Sequence, residues 1–483
     1  MAEHTQHTIP RRSIVAIMAV LVLAATVMVL NETTLAVALP AIMADFGVSA
    51  DVVQWLLTGF MLTMAVVIPT TGYLIQRLST RAIFFAAMTL FTLGSILGAT
   101  APVFGMLLLA RVVQAAGTAI MIPLLMTTTL TIIPVEKRGT VMGLISVVIS
   151  VAPALGPTLS GMVLEHYTWH HLFWLMVPIA LLTLVFSFFA LINVGETRSI
   201  PLDVVSVLLS VVAFGALVYG LSTIGSLLDA SSHLPAIALV VGVLTLAVFV
   251  TRQLSLARRE RALLDLSAFT VKTFSWSVVA VVAGMAVMLG TVSILPIYLQ
   301  GALGASALAT GLVLLPGGLI MGAISPLIGR IYDSVGPRPL TIPGSVLMLI
   351  TQFWMAFTFT EHTPLWQVVL VVIVFNVGMA MVMTPLMTVS LSALPMKLYS
   401  HGSAIMSTLQ QLGGAAGTAL FVAALTVGQR SVVERGPAAA TAEGVTGAYF
   451  LGGLLALVIV VACVFVAGQR AQVHEVKEEP AGI

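Results

Sequence analysis

Arg11-Arg12-Ser13 is followed by Ile14-Val15-Ala16-Ile17-Met18-Ala19-Val20-Leu21-Val22-Leu23-Ala24-Ala25-Thr26-Val27-Met28-Val29-Leu30, and only then by Asn31 and Glu32. This apolar run is too long for the core of a secretory signal, which spans about 7–15 residues. It lacks the apolar–polar alternation that a barrel strand of about 10 residues shows. It reads as most of a membrane-spanning helix, which needs about 20 mostly apolar residues. The arginine pair ahead of it then belongs on the cytoplasmic side.

The rest of the chain has the same character. Of its 483 residues 59% are hydrophobic and 8% charged, and the mean hydropathy is +1.12. A soluble domain carries about 25% charged residues, so that class is excluded. Disorder, which needs low hydrophobicity and high charge, is excluded as well. A net charge of +2 gives no sign of nucleic-acid binding. The lone cysteine, Cys463, rules out an intrachain disulfide and reads as an apolar packing residue. The chain is therefore expected to be all-α and polytopic. Fourteen apolar segments are read at roughly 14–39, 52–74, 82–100, 103–133, 139–164, 171–193, 203–225, 234–251, 273–299, 307–329, 338–359, 365–388, 402–427 and 446–468.

The charges test that count. Alternating sides from a cytoplasmic N-terminus places 17 of the 20 basic residues inside, among them Arg77, Arg81, Arg252, Arg330 and Lys477. Arg430 and Arg435 fall outside, and Arg111 falls within the fourth segment. A missed or invented helix would invert every later loop and spoil this asymmetry. Both termini are thus expected in the cytoplasm.

The chain repeats itself. Pro123-Leu124-Leu125-Met126-Thr127 leads to Pro134 and Gly139; Pro385-Leu386-Met387-Thr388 leads to Pro395 and Gly402. The near-constant offset implies two six-helix halves, 1–200 and 273–470, separated by two inserted helices at 201–252 and a cytoplasmic loop at 253–272, and followed by a tail at 471–483.

Of the 18 acids only Glu32 lies deep in an apolar segment; the others fall in loops, tails or helix ends. A charge at the bilayer centre costs about 2.5–3.5 kcal/mol on insertion scales and is usually functional. Glu32 and Arg111 lie at comparable depth, about 5 and 10 Å outward of their helix middles at a rise of 1.5 Å per residue. A direct or water-linked pair is open to them, either as a proton-coupling site or as a fixed bridge. Amides within the segments, Asn31, Gln54, Gln114, Asn376 and Gln411, are candidates for a substrate cavity or for helix-to-helix hydrogen bonds. Trp55, Phe60, Tyr298, Phe353 and Trp354 are aromatic candidates for the same cavity, with interfacial anchoring or lipid contact the favoured reading for any one of them. His170-His171 gives no metal site, because adjacent residues do not face one point. No phosphate-cradling GxxxxGK[ST] stretch occurs, so neither ATP drive nor a cofactor is expected.

Three stretches stand out: Leu30-Asn31-Glu32-Thr33 through Pro40, Arg111-Val112-Val113-Gln114 with Gly117, and Gly143 with Ala152-Pro153-Ala154-Leu155-Gly156-Pro157 and Gly161. They resemble the motifs of the fourteen-helix drug:proton antiporters of the major facilitator superfamily, and the resemblance covers nearly the whole chain. The Asn-Glu-Thr variant is similar to the lincomycin-resistance type of multidrug exporter. The loop Gly72-Tyr73-Leu74-Ile75-Gln76-Arg77-Leu78-Ser79-Thr80-Arg81 has Gln76 where the family has aspartate; its counterpart, Gly329-Arg330-Ile331-Tyr332-Asp333, keeps the acid. The resemblance implies a major facilitator fold with the substrate site near the midplane between halves. It implies proton-coupled export of amphipathic small molecules by alternating access, by a monomer without enzyme activity. Arg77, Arg81, Gly329, Arg330 and Asp333 would gate the inner face, and Pro153, Gly156, Pro157 and Gly161 would shape the moving fifth helix. Asp333 follows Arg330 by three residues, which suits a local charge contact. A dedicated exporter of one metabolite, antibiotic or envelope precursor is the alternative, and a membrane-embedded enzyme a weaker one.

Overall fold

The computed structural model describes residues 11–48, 50–53, 55–194, 203–223, 233–258, 261–431 and 436–468. Among them are fourteen long helices and no strand. They are α1 (Arg11–Phe46), α2 (Trp55–Arg77), α3 (Thr80–Ala99), α4 (Phe104–Ile132), α5 (Arg138–His166), α6 (His170–Ala190) and α7 (Val204–Ser222), followed by α8 (Leu234–Ala257), α9 (Lys272–Gly301), α10 (Ala307–Val335), α11 (Arg338–Thr358), α12 (Leu365–Ser392), α13 (Tyr399–Ser431) and α14 (Pro437–Gly468). Thirteen are long and apolar enough to cross a membrane. The remaining helix, α5, is 29 residues long; several of its side chains, Pro153 and Pro157 included, lie outside the described set. The polytopic all-α fold read from the sequence is the fold observed.

Helices dominate because lipid offers no partner to a backbone N–H or C=O, and a helix satisfies these groups internally. Their ends are set by local chemistry. Ser79 opens α3 by accepting from the Ala82 N–H, and Ser306 opens α10 by accepting from Ala309. Gly336, at φ 78°, closes α10 in a conformation that favours glycine. α8 runs past Arg252 to Ala257, into the stretch expected as loop. The chain then tucks Leu263, Leu264 and Ala268 into the bundle.

α1 to α6 pack on one another, as do α9 to α14. The two groups meet along α5–α10 on one flank and α2–α13 on the other. The inserted helices pack together, and α7 bridges both groups, lying against α2 and α13. The duplication recurs in local structure: Pro134 leads through a single 3-10 turn, Val135–Lys137, into α5, and Pro395 leads through the turn Met396–Leu398 into α13. Arg138 and Tyr399, the equivalent first residues of these two helices, touch each other. The Arg138 Nη1 donates to the Tyr399 hydroxyl at 3.2 Å, and its guanidinium lies 5.4 Å from the ring centroid.

This contact lies at the end of the bundle that carries the basic loops. There the groups are closed together. Gly139 and Gly329 approach so closely that a Cβ on either would strike the other's backbone. A Cβ on Gly143 would lie 2.5 Å from the Ser325 carbonyl oxygen. Thr127 and Ser403 share a hydrogen bond at 2.6 Å, and Gln76 reaches Ser400 and His401 on α13 at 2.9 and 2.6 Å. Toward the opposite end the groups separate around cavities.

The inserted pair is clamped at the basic end by Asp203, which takes two hydrogen bonds from Arg252, both at 2.8 Å, and one from the Ser206 hydroxyl at 2.5 Å. Gln253 extends the clamp, donating to Ser206 and accepting from the Leu263 and Leu264 N–H groups. The hydrogen bond from Arg252 holds the Asp203 carboxyl at about 2, below its ordinary 3.8. A lowered folded-state value means that the stabilisation is complete above the ordinary value and is lost as pH falls toward 2. Asp203→Asn is therefore expected to lower the melting temperature of the purified protein at pH 7. The difference from the native chain should narrow from pH 5 to pH 3; a constant difference would show that the carboxylate charge is not what holds the clamp.

Candidate functional site

Arg111 sits on α4 with no solvent exposure. A buried guanidinium needs partners for its N–H groups, and three helices supply them. Nη1 donates to Asn31 Oδ1 on α1 at 3.0 Å and to Gln114 Oε1 one turn along α4 at 3.1 Å. Nε donates to the Leu56 carbonyl of α2 at 3.4 Å. The guanidinium carbon lies 4.1 Å from the centroid of the Phe60 ring, a cation–π contact. Gln114 is held in turn by its Nε2, which donates to Ser95 Oγ on α3 at 2.9 Å. Gly94 makes room for this: a Cβ there would lie 2.6 Å from Gln114 Cγ.

One donor is left over. Arg111 Nη2 is buried and has no hydrogen-bond partner among the described residues. Glu32, which follows Asn31 on α1, comes near enough to Arg111 to interact electrostatically. The two form no ion pair within 4.0 Å, and Glu32 makes no hydrogen bond among the described residues. Its side chain is partly accessible, whereas Asn31 is 2% exposed. The fixed bridge open on sequence grounds is absent from this state: neutral amides, not the carboxylate, hold the guanidinium.

The fifth helix reaches this site through one glycine. A Cβ on Gly156 would strike the Thr33 hydroxyl, beside Glu32, and that hydroxyl approaches the Ala152 carbonyl at 3.5 Å. Close contact between α1 and α5 thus depends on Gly156 having no side chain. Gly161 has nothing within 4 Å and supports no such contact.

The other sequence candidates separate into distinct places. Asn31 and Gln114 belong to the Arg111 network rather than to a cavity wall. Phe60, 1% exposed, spends its face on Arg111. Asn376 lines a cavity of about 220 Å³ with Thr158, Thr291 and Phe375, and its Nδ2 donates to the Val372 carbonyl at 2.9 Å. Gln411 lines a second cavity of about 430 Å³. Gln54 lies outside the described residues.

At the basic end, Asp333 does not meet Arg330, which is exposed. Its carboxylate instead caps α5 of the other group, accepting from the Gly139 N–H at 2.7 Å, the Thr140 N–H at 2.8 Å and the Thr140 hydroxyl at 2.6 Å. A helix N-terminus offers unpaired N–H groups and the positive end of the helix dipole, which outcompete an exposed arginine. Arg77 bonds Tyr73 on its own helix at 2.9 Å, and Arg81 bonds the Phe188 carbonyl of α6 at 3.2 Å, so both contacts stay within one group of helices. Ser400 and His401, which meet Gln76, were not singled out from the sequence; His401 presents no motif there.

Comparison with known proteins bears on the whole chain. Residues 21–418 match the Major Facilitator Superfamily. The chain is 42% identical over 442 residues to the MFS-type transporter YcnB of Bacillus subtilis, covering 92% of this chain and 93% of that one. It is 37% identical over 459 residues to the lincomycin resistance protein LmrB of Listeria monocytogenes, covering 94% and 96%. It is 30% identical over 415 residues to a multidrug resistance protein B homolog of Mycobacterium tuberculosis, covering 84% and 75%. Among solved structures, the proton:xylose symporter XylE shares the fold with a TM-score of 0.67 at 16% identity, covering 94% of this chain and 95% of that one. The paired helix groups, the closed basic end and the match over most of the length lead to one assignment: the chain belongs to the Major Facilitator Superfamily of membrane transporters.

Proposed function

We propose that the chain exports amphipathic drugs from bacteria in exchange for protons, as a multi-pass protein of the inner membrane with both termini in the cytoplasm. The relatives named for lincomycin and multidrug resistance support the substrate class, and the basic loops support the orientation. One observation carries the coupling: Glu32, the sole carboxylate deep in the spans, is partly accessible and unpaired beside an arginine that has a free buried donor. With the basic end cytoplasmic, the closed state described above is outward-facing. Glu32 then holds a proton taken from outside and needs no ion pair, while Asn31 and Gln114 hold Nη1 of Arg111. When the outer end closes and the inner end opens, the proton leaves toward the cytoplasm and Nη2 of Arg111 receives the carboxylate. Drug loads in that state, and its outward passage returns Glu32 to protons outside. The pH gradient is the energy source, and no cofactor enters the cycle.

Everted vesicles from an efflux-deficient bacterium test this reading. Vesicles carrying the protein should accumulate lincomycin or chloramphenicol when acidified inside, and should lose it when nigericin collapses the gradient. In intact cells an impermeant maleimide should label a cysteine at Thr100 and spare one at Ser255. Accumulation indifferent to nigericin, or the reverse labelling, would overturn the proposal.

A further inference from the structure

The two flanks of the bundle are built differently. On the α5–α10 flank the groups touch through glycines, with Gly143 against the Ser325 backbone and Gly322 against the Val151 side chain. On the α2–α13 flank they stand further apart toward the end opposite the basic loops, and α7 fills the gap. Trp55 of α2 stacks on Tyr219 of α7, with ring centroids 6.0 Å apart and planes inclined by 24°. Beside this clamp lies the cavity of about 430 Å³, within the range of about 300–1,000 Å³ typical of small-molecule sites. Met61 comes from α2, Val218 and Leu221 from α7, Ser293 from α9, and Gln411 and Thr418 from α13. Without α7 this space would open to lipid.

The chemistry of the walls selects a ligand. No charged residue lines the cavity among the described residues. A charge entering it would lose hydration with no countercharge to replace it. Glycines draw α13 onto α9: a Cβ on Gly413 would lie 2.7 Å from the Val282 carbonyl, and one on Gly417 would strike the Ala286 backbone. From this helix Gln411 reaches across to the first group, where its Nε2 donates to the Met64 thioether at 3.7 Å, a weak acceptor. Its amide oxygen has no donor among the described residues. Ser293 spends its proton on the Leu289 carbonyl at 2.7 Å and lies 3.4 Å from the Thr418 hydroxyl. The chamber thus offers an apolar lining with one available amide acceptor and two neighbouring hydroxyls.

We propose that the inserted helix α7 completes a lateral binding chamber for uncharged amphipathic molecules carrying a hydrogen-bond donor, anchored by Gln411. The proposal rests on the export reading for its role in the cell, but binding is measured without transport.

Chloramphenicol, uncharged and bearing an amide N–H and hydroxyls, is the probe, titrated as the radiolabelled drug against purified full-length protein. Leu221→Trp fills the chamber from α7 and should weaken binding about tenfold or more, equivalent to about 1.4 kcal/mol. Thr58→Trp fills it from α2 and should do the same, which covers a folding failure of the first variant. Gln411→Leu should weaken binding about threefold to tenfold, through the loss of one hydrogen bond. Leu315→Trp, in the smaller cavity, should bind as the native chain does, and the permanent cation tetraphenylphosphonium should not displace the drug. Native affinity in both tryptophan variants, or loss only in Leu315→Trp, would overturn the chamber; displacement by the cation would overturn its preference for uncharged ligands. If binding follows the expected pattern while native vesicles show no gradient-driven accumulation, the export reading fails and the chamber stands.

Discussion

Glu32→Gln is expected to bring pH-gradient-driven accumulation in proteoliposomes down to the level of empty liposomes. Glutamine keeps the size and polarity of a protonated carboxyl but cannot release a proton, so the cycle has no step at which drug and proton exchange. The fold should survive, because the native Glu32 makes no hydrogen bond or ion pair in this state. Drug binding to the purified protein should stay measurable for the same reason. Glu32→Asp keeps the acid on a shorter stem and should retain partial activity. Native accumulation by Glu32→Gln would move the coupling site elsewhere and leave Glu32 with a structural role.

Asp333→Asn should slow transport far more than it weakens binding. The carboxylate accepts three hydrogen bonds from the first turn of α5, and parting of α5 from α10 in an alternating-access cycle would break them. Asparagine has one oxygen, and its NH₂ would face an N–H that also donates. Hydrogen bonds to charged groups are worth about 1.5–3 kcal/mol each. Losing one at about 2 kcal/mol shifts the closed-to-open balance roughly thirtyfold. A transporter must visit both states in every cycle, so drug efflux is expected to fall about tenfold or more. The binding chamber lies at the other end of the bundle and should be little affected. Normal efflux from Asp333→Asn at normal protein levels would show that this latch does not set the balance.

The fold was legible because lipid imposes a simple condition: enough consecutive apolar residues to cross, and basic loops on one side. The expectation of two halves rested on a repeat visible in the Pro123/Pro385 and Pro134/Pro395 pairs. The partners of each side chain were less legible. Depth along a helix can be counted at about 1.5 Å per residue, and this sets Glu32 near the level of Arg111. Rotation about the axis cannot be counted the same way. Neighbours on a helix differ by about 100°, so depth does not say whether Asn31 or Glu32 turns toward the guanidinium. In water an apolar stripe would mark the buried face, but a helix in lipid is apolar all round. Gln114, Phe60 and Asn31 therefore read equally well as cavity lining or as network members, and only the packed structure separates them. The capping of α5 by Asp333 was hidden for a related reason. The acceptor and its donors are almost two hundred residues apart, while Arg330 offered a nearer but exposed alternative.

The meeting of Arg138 with Tyr399 has a meaning beyond the latch. The two occupy the same place in the repeat, so each half presents that place to its own copy. In a symmetric dimer of identical six-helix subunits the position would touch itself, as residues on a two-fold axis must. Two arginines there would repel, and two tyrosines would leave the carbonyls of Leu130 and Ile133, which Arg138 now serves at 2.6 and 3.2 Å, without their donor. A covalently joined pair of halves is free to hold different residues at one self-facing position. Fusion thereby opens to the chain a class of contact that symmetry forbids to a homodimer, and this junction uses it.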